Sequence, residues 1–445
     1  MHRPTLVTAL LLEGFTSRLS FGVLSFALPL YARHLGMSIA AIGLLSATTG
    51  VVSLALKPFT GALADRWGVR RTLLSALTTR SLLCLGYVVA TTPAQLFGLR
   101  GVHGASDSLR DPAVHSMLAE YGGKDSMAST FAWYQTMKTT AGSFGASLGG
   151  LLIATTLGFP LAFTAALALS FLPVFALAAA RPSVPADTAG EVPPPDPAPA
   201  ATEAVPKKAQ RPPGIAAYAG LGFLVAGSAS MLTTLFPIIA VEYAGLSTAQ
   251  AGLVYLVTPV LALTGPVWGR LSDRVSRPLV LSVRGFANVF SSLVYLLAPN
   301  LAGVWTGKAL DDIGKAAFRP AWGSMMADVA NRDPKTRARA MGCLTAGEDA
   351  GTLAAPLLAS LLWTLWGVPV LLFARVAVVA VSELYATGLQ RRQRRGLPLT
   401  VRDRWRPRAP RSDRAGRCGA CGDDASGSAP EPGEPGEQAS ADVRQ

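Results

Sequence analysis

The chain has 445 residues, half of them hydrophobic and only 15% charged, with a mean hydropathy of +0.36. A soluble protein of this length would divide into two or three domains carrying far more charge, so the composition points to a membrane protein with many crossings. The net charge of +13 falls mostly in loops and the tail, and no basic patch with interleaved aromatics appears. It therefore reports topology and anionic lipid headgroups, and no nucleic-acid partner is expected.

About twenty apolar residues cross a bilayer as a helix. Segments of that kind lie at 5–32, 38–63, 71–90, 94–118, 127–154, 158–180, 214–241, 248–271, 278–298, 301–326, 337–363 and 368–389. Glu13 and Arg18 interrupt the first apolar run and no small-residue cleavage site follows, so it reads as a retained helix and not a signal peptide. Between the sixth and seventh segments, Arg181 to Pro213 contains ten prolines and the run PPPDPAPA. Such a stretch forms a polyproline-like or disordered linker. The expected organisation is an all-α integral membrane protein of two six-helix units, 1–180 and 214–390, joined by the linker 181–213. A tail, 391–445, follows.

The tail begins with eleven arginines between Arg391 and Arg417, suited to anionic headgroups, and ends in a Gly-, Ser- and Pro-rich stretch with disordered composition. Cys418 and Cys421 form a lone CxxC without two further ligands nearby, so no metal or other cofactor is expected. Lysines and arginines cluster in alternate loops, at Arg66, Arg70 and Arg71, at Arg270, Arg274 and Arg277, and at Arg332, Lys335, Arg337 and Arg339. The intervening loops Thr91–Pro93, Leu157–Pro160 and Pro299–Asn300 carry no charge. The positive-inside rule then puts both termini and the linker in the cytoplasm, with the chain in the cell (inner) membrane.

The two units repeat. A shift of 208 positions places Pro29 on Pro237, Pro58 on Pro266, Gly61 on Gly269, and Asp65–Arg66 on Asp273–Arg274. The same shift places Arg100 on Lys308, Pro112–Ala113 on Pro320–Ala321, Ser116–Met117 on Ser324–Met325, and Glu120 on Asp328. One offset holding from the first helix to the fourth is a duplication, and parallel six-helix repeats are a transporter architecture with the site at their interface.

The loop GALADRWGVRR, Gly61 to Arg71, resembles the signature G-x-x-x-D-R-x-G-x-R-R of the major facilitator superfamily, between helices two and three. Gly269-Arg-Leu-Ser-Asp273-Arg274 is a degenerate second copy. Leu96 to Gly104, LFGLRGVHG, resembles the family's fourth-helix motif L-x-x-x-R-x-x-Q-G with His103 in place of Gln. The resemblance covers residues 1 to about 390. It implies a conformational latch formed by Asp65, Arg66 and Glu120, with Asp273, Arg274 and Asp328 as its counterpart. Independently of the family, Gly61 and Gly68 permit tight turns, while Arg66, Arg70 and Arg71 can anchor to headgroups or to a nearby acid.

Charges inside a membrane are costly and mark pathways. In the tenth segment Lys308, Asp311, Asp312, Lys315 and Arg319 share one helical face; in the fourth, Arg100, His103, Asp107, Arg110 and Asp111 do the same. With Arg18 of the first segment, these line an expected polar substrate pathway. In the resembled family, helices one, four, seven and ten line the cavity. Local i,i+3 and i,i+4 pairing predicts Asp311 with Lys308 and Lys315, and Asp107 with Arg110, leaving Asp312 and Arg319 the least committed. Neutralising Asp312 or Arg110 is then expected to abolish transport while the protein stays in the membrane.

Around helix five, Lys138-Thr139-Thr140 aligns with Gly347-Glu348-Asp349. A carboxyl in low dielectric holds a proton closer to neutrality, so Glu348 or Asp349, ahead of Glu13, is the expected coupling acid, with Lys138 as partner to one of them. Gly142, Gly145 and Gly149-Gly150 resemble the antiporter motif G-x-x-x-G-P-x-x-G-G, with Ala146 in place of the proline. Those glycines also suit close helix packing.

No G-x-x-x-x-G-K-[ST] loop and no nucleophile–base cluster is present, which argues against an ATPase or other enzyme. The expectation is a monomeric, proton-coupled secondary transporter of a small polar or charged solute, with export slightly favoured. The solute is ionic or zwitterionic, or a metal ion held by carboxylates and His103. A drug or antibiotic efflux antiporter, and a membrane sensor or scaffold reusing the fold, are the alternatives.

Overall fold

The computed structural model describes residues 6–121, 127–180, 214–274, 277–330 and 337–394. The linker 181–213 and the tail from 395 lie outside the described residues. Among the described residues, twelve membrane helices follow one another. They begin with α1 (Leu6–His34), α2 (Ile39–Trp67), α3 (Val69–Val89), α4 (Pro93–Tyr121), α5 (Met127–Ile153) and α6 (Gly158–Ala179).

The last six helices are less regular. α7 runs Ile215–Ser230, loosens into turns at 231–235, and resumes as Phe236–Ile238 and a π-helical turn, Ile239–Tyr243. Pro237 explains the interruption, because it lacks an N–H and its ring crowds the preceding turn. α8 is assembled from Thr248–Leu253, a 3₁₀ turn Val254–Leu256, Val257–Ala262 and Gly265–Arg274, with Pro259 and Pro266 along it. α9 (Arg277–Leu297) and α10 (Leu301–Ala330) are continuous. α11 and α12 share the stretch Arg337–Arg394, divided at Gly367, whose φ of +83° suits glycine alone.

At the end remote from the chain termini, the starts of α2, α4, α8 and α10 carry side-chain caps. Ser38 Oγ accepts from the Ala41 amide and Thr92 Oγ1 from the Gln95 amide. Ser247 and Gln250 form a reciprocal capping box, and Asn300 Oδ1 accepts from the Gly303 amide. Each cap satisfies amides that would otherwise face an interface with lipid unpaired.

Among the described residues, five segments are long and apolar enough to cross a bilayer by composition: Ile39–Lys57, Val69–Val89, Gly158–Ala179, Val280–Leu297 and Ala340–Arg392. The charged helices α1, α4, α5 and α10 fall outside that set and sit where they can pair. Exposed apolar side chains such as Phe59, Leu82, Phe175, Leu297 and Leu384 make the outer surface suited to lipid.

Close approaches replace large side chains where helices cross. A Cβ on Gly22 of α1 would lie 2.8 Å from the Gly145 Cα of α5, and one on Gly150 would lie 2.6 Å from the Gly252 Cα of α8. The glycines of the imperfect antiporter motif are therefore packing surfaces, one of them between the first and last six helices.

Candidate functional site

Among the described residues, two buried ion networks organise the bundle. In the first six helices, the Nε and Nη2 of Arg110 donate to Glu13 Oε1 at 3.0 and 2.7 Å. Arg110 Nη2 also donates to Tyr134 Oη at 2.8 Å, and that hydroxyl donates to Glu13 Oε2 at 3.1 Å. This closed triangle ties α1, α4 and α5 together. Beside it, Arg80 of α3 donates to Ser17 Oγ at 3.0 Å and pairs with Asp107 at 3.2 Å. His103 lies against Arg80 and Asp107, with its ring edge-on to Phe21.

In the last six helices the centre is Asp311. Its carboxylate pairs with Lys315, with Arg375 at 2.6 Å and with Arg284 at 3.6 Å. Arg375, fully buried, also donates to the Ser228 carbonyl, Ser291, Ser292 and Asn288. Asp312 pairs with Lys308, accepts from Thr258 and receives Lys315 at 3.2 Å.

These contacts correct several expectations. Asp312 is among the most engaged members of its stripe, because Thr258 reaches it from α8. Lys308 takes Asp312 and not Asp311. Asp107 pairs with Arg80, while Arg110 takes Glu13 and, at 3.3 Å, Asp111. Lys138 rests over the Tyr134 ring at 5.4 Å, and Asp349 instead meets Lys57 at 3.5 Å. Since Arg110 and Asp312 are buried and paired, neutralising either strands a charged partner, so the separation of transport from folding expected for these variants does not follow.

His103 is a poor start for a metal site, with Nε2 beside a guanidinium. Among the described residues no three His, Cys, Asp or Glu side chains converge.

Of the expected latch, Gly68 has a φ of +85° where α2 turns into α3, and Arg66 and Arg71 are exposed. Arg70 Nη2 donates to the carbonyls of Leu177, Ala178 and Ala180, capping the C-terminal end of α6 rather than binding an acid. Gly61 and the side chains of Asp65, Glu120, Asp273, Arg274 and Asp328 lie outside what is described.

The sequence reading missed Arg80, Arg375, Lys57 and the pair Arg33–Glu242. A lone cation inside an apolar helix was the available signal, since such a residue needs a buried acid nearby.

Between the halves lies a cavity of about 340 Å³. Its wall includes Ser46, Thr49 and Lys57 of α2, Arg100 of α4, Thr234 of α7 and Asp349 of α11. At the end remote from the termini the halves meet closely. Arg33 grips Glu242 with Nε at 2.8 Å and Nη2 at 3.2 Å, Ser46 and Thr234 share a hydrogen bond, and Phe26 meets Tyr255 edge-on. Toward the termini, polar contacts between the halves among the described residues are Lys57–Asp349 and Arg319–Thr139, both at solvent-accessible positions.

The sequence profile described as "Major Facilitator Superfamily" matches residues 10–310 and 220–415. The multidrug resistance protein MdtG of Citrobacter koseri is 30% identical over 167 residues, 37% of this chain and 41% of that protein. MdtG of Escherichia coli O17:K52:H18 is 29% identical over the same length. The matched region thus spans about two fifths of these relatives. Among solved structures, a bacterial homologue of the lysosomal transporter Spinster superposes with a TM-score of 0.69 at 14% identity, covering 90% of this chain and 98% of that one. The nucleoside transporter NupG gives 0.64 at 15% identity over 86% and 98%. With twelve helices in the expected order and a profile match along most of its length, the chain belongs to the Major Facilitator Superfamily of membrane transporters.

Proposed function

We propose that this protein is a proton-coupled secondary transporter that exports a small polar or charged solute by rocking its two halves about the cavity between them. The observation that carries this reading is the cavity itself. It is bounded by both halves, lined by hydroxyls and by Arg100, Lys57 and Asp349, and lies beside interlocked helices at one end. A wall shared by two bodies changes shape when they rock, which alternating access requires. The basic loops favour a cytoplasmic location for both termini. That orientation makes the Arg33–Glu242 end the outer one and the present state closed to the outside.

Glu348 is the favoured coupling acid. Its Oε1 is buried without a hydrogen-bond partner, whereas neighbouring Asp349 is held by Lys57. An acid that lacks a cation is free to alternate between protonated and ionised forms as the halves move. Arg18, Lys138 and Arg319 flank the pathway without an acidic partner among the described residues, resting against Phe21, Tyr134 and Thr139.

A solute screen in proteoliposomes, with and without an imposed pH gradient, tests the proposal. Gradient-driven accumulation of some solute is expected; transport indifferent to pH would remove proton coupling. A second reading, drug efflux, is favoured by the multidrug resistance relatives. It predicts that lipophilic cations such as ethidium are carried in the same assay.

A further inference from the structure

Arg100 and Lys308 occupy equivalent positions in the two sequence repeats, yet their surroundings are opposite. Lys308 is fully provided for: it pairs with Asp312, donates to Thr258 at 2.9 Å and lies 5.4 Å from the Tyr255 ring centroid. Subtracting the 208-residue offset from those three partners gives Gly104, Gly50 and Ala47. The repeat of the first half thus keeps the cation and removes every group that neutralises it.

The space vacated remains open. Ala47 and Gly50 line the cavity of about 340 Å³ together with Arg100. The Arg100 Nε is buried without a hydrogen-bond partner, and among the described residues no acid pairs with its guanidinium. Nor can position 104 supply one. A Cβ there would fall 2.9 Å from the Val52 Cβ and 3.1 Å from the Ser53 amide nitrogen, so α2 and α4 pack too closely for a carboxylate.

We infer that the cavity at Arg100 binds the carboxylate or phosphate of an anionic ligand, which takes the place that the Asp312 carboxylate fills in the other half. The inference rests on the transport reading for the ligand's passage but not for its binding. Around Arg100 the wall adds the Ser53 hydroxyl, while Thr49 Oγ1 donates to the Arg100 carbonyl, Ser46 is bonded to Thr234, and Lys57 is shared with Asp349. A guanidinium with free donors in a partly desolvated cavity favours a planar oxyanion over a cation. The volume lies within the range of small-molecule sites. The wider charge balance agrees. Arg18, Arg100, Lys138 and Arg319 lack acidic partners among the described residues, whereas Glu348 and Glu383 are the acids without a cation, and Glu383 is hydrogen-bonded to Ser282.

The test uses the full-length protein, purified and reconstituted, with carboxyfluorescein as anionic probe and ethidium as cationic probe. Carboxyfluorescein should raise the melting temperature and enter proteoliposomes saturably, and Arg100→Gln should weaken both by about tenfold or more. Arg100→Lys should retain most of the binding. Gly50→Asp, which places an internal carboxylate beside Arg100 where only the flexible Leu353 tip is displaced, should abolish it. If phosphatidylglycerol vesicles reproduce the Arg100-dependent stabilisation over phosphatidylcholine and carboxyfluorescein does not, the bound anion is a lipid headgroup. Carboxyfluorescein binding without uptake would uphold the anion site and sink the transport reading. Ethidium uptake with no Arg100-dependent response to either anion would overturn the anion site and leave transport standing.

Discussion

At Arg110 a single guanidinium ties α1, α4 and α5 together through one buried cluster. Its donors are divided among Glu13, Tyr134 and Asp111, with Glu13 and Arg110 both buried. Removing one partner of such a pair costs about 3–5 kcal/mol, because a charge is left uncompensated. Glu13→Gln should therefore lower the melting temperature of the purified protein markedly. The double variant Glu13→Gln, Arg110→Met should recover part of that loss, as read by thermal unfolding in detergent. Glu348 is expected to behave differently. Its Oε1 carries no hydrogen bond to break, so Glu348→Gln should fold normally, keep solute exchange and lose accumulation driven by a pH gradient. A proteoliposome assay comparing exchange with gradient-driven uptake would separate those two quantities.

Helix ends and crossings set which motions are open to the bundle. Arg33 lies in the last turn of α1 and Glu242 in the π-helical turn of α7, so their bidentate pair joins the two halves at one end. Both side chains are about a third exposed, so the pair is better regarded as a contact that opens than as a major source of stability. Arg33→Cys combined with Glu242→Cys, bridged by a bis-methanethiosulfonate reagent that spans the lost side chains, should halt transport, and a reductant should restore it; unimpaired transport in the crosslinked protein would show that this end need not open. Gly150 and Gly252 form a second contact of the same kind, tighter and without charge. Gly150→Leu should force α5 and α8 apart, which cysteine accessibility along α8 would register as increased labelling.

For the molecule as a whole, much of the fold was legible from local pattern. Twelve apolar runs, the Gly61–Arg71 loop and the 208-residue repeat are each properties of short windows. A membrane requires helices of a definite length and leaves little alternative for their backbones. The breaks in α7 and α8 were less legible, since Pro29 is tolerated inside α1 while the chain loosens ahead of its repeat equivalent Pro237. The stripes on α4 and α10 were visible because i,i+3 and i,i+4 spacing is a local quantity. Their pairing was not. Arg375 reaches Asp311 from 64 positions away, and Arg80 reaches Asp107 from another helix, according to how each helix is rotated about its axis. The sequence alone determined the number of helices, the duplication and the faces on which charge is concentrated. Only the tertiary structure decided which charges neutralise one another and which, like Arg100, are left facing a cavity. The reason is that a buried charge is governed by whatever neighbouring helices bring within a few ångströms of it, and residues distant along the chain supply those groups.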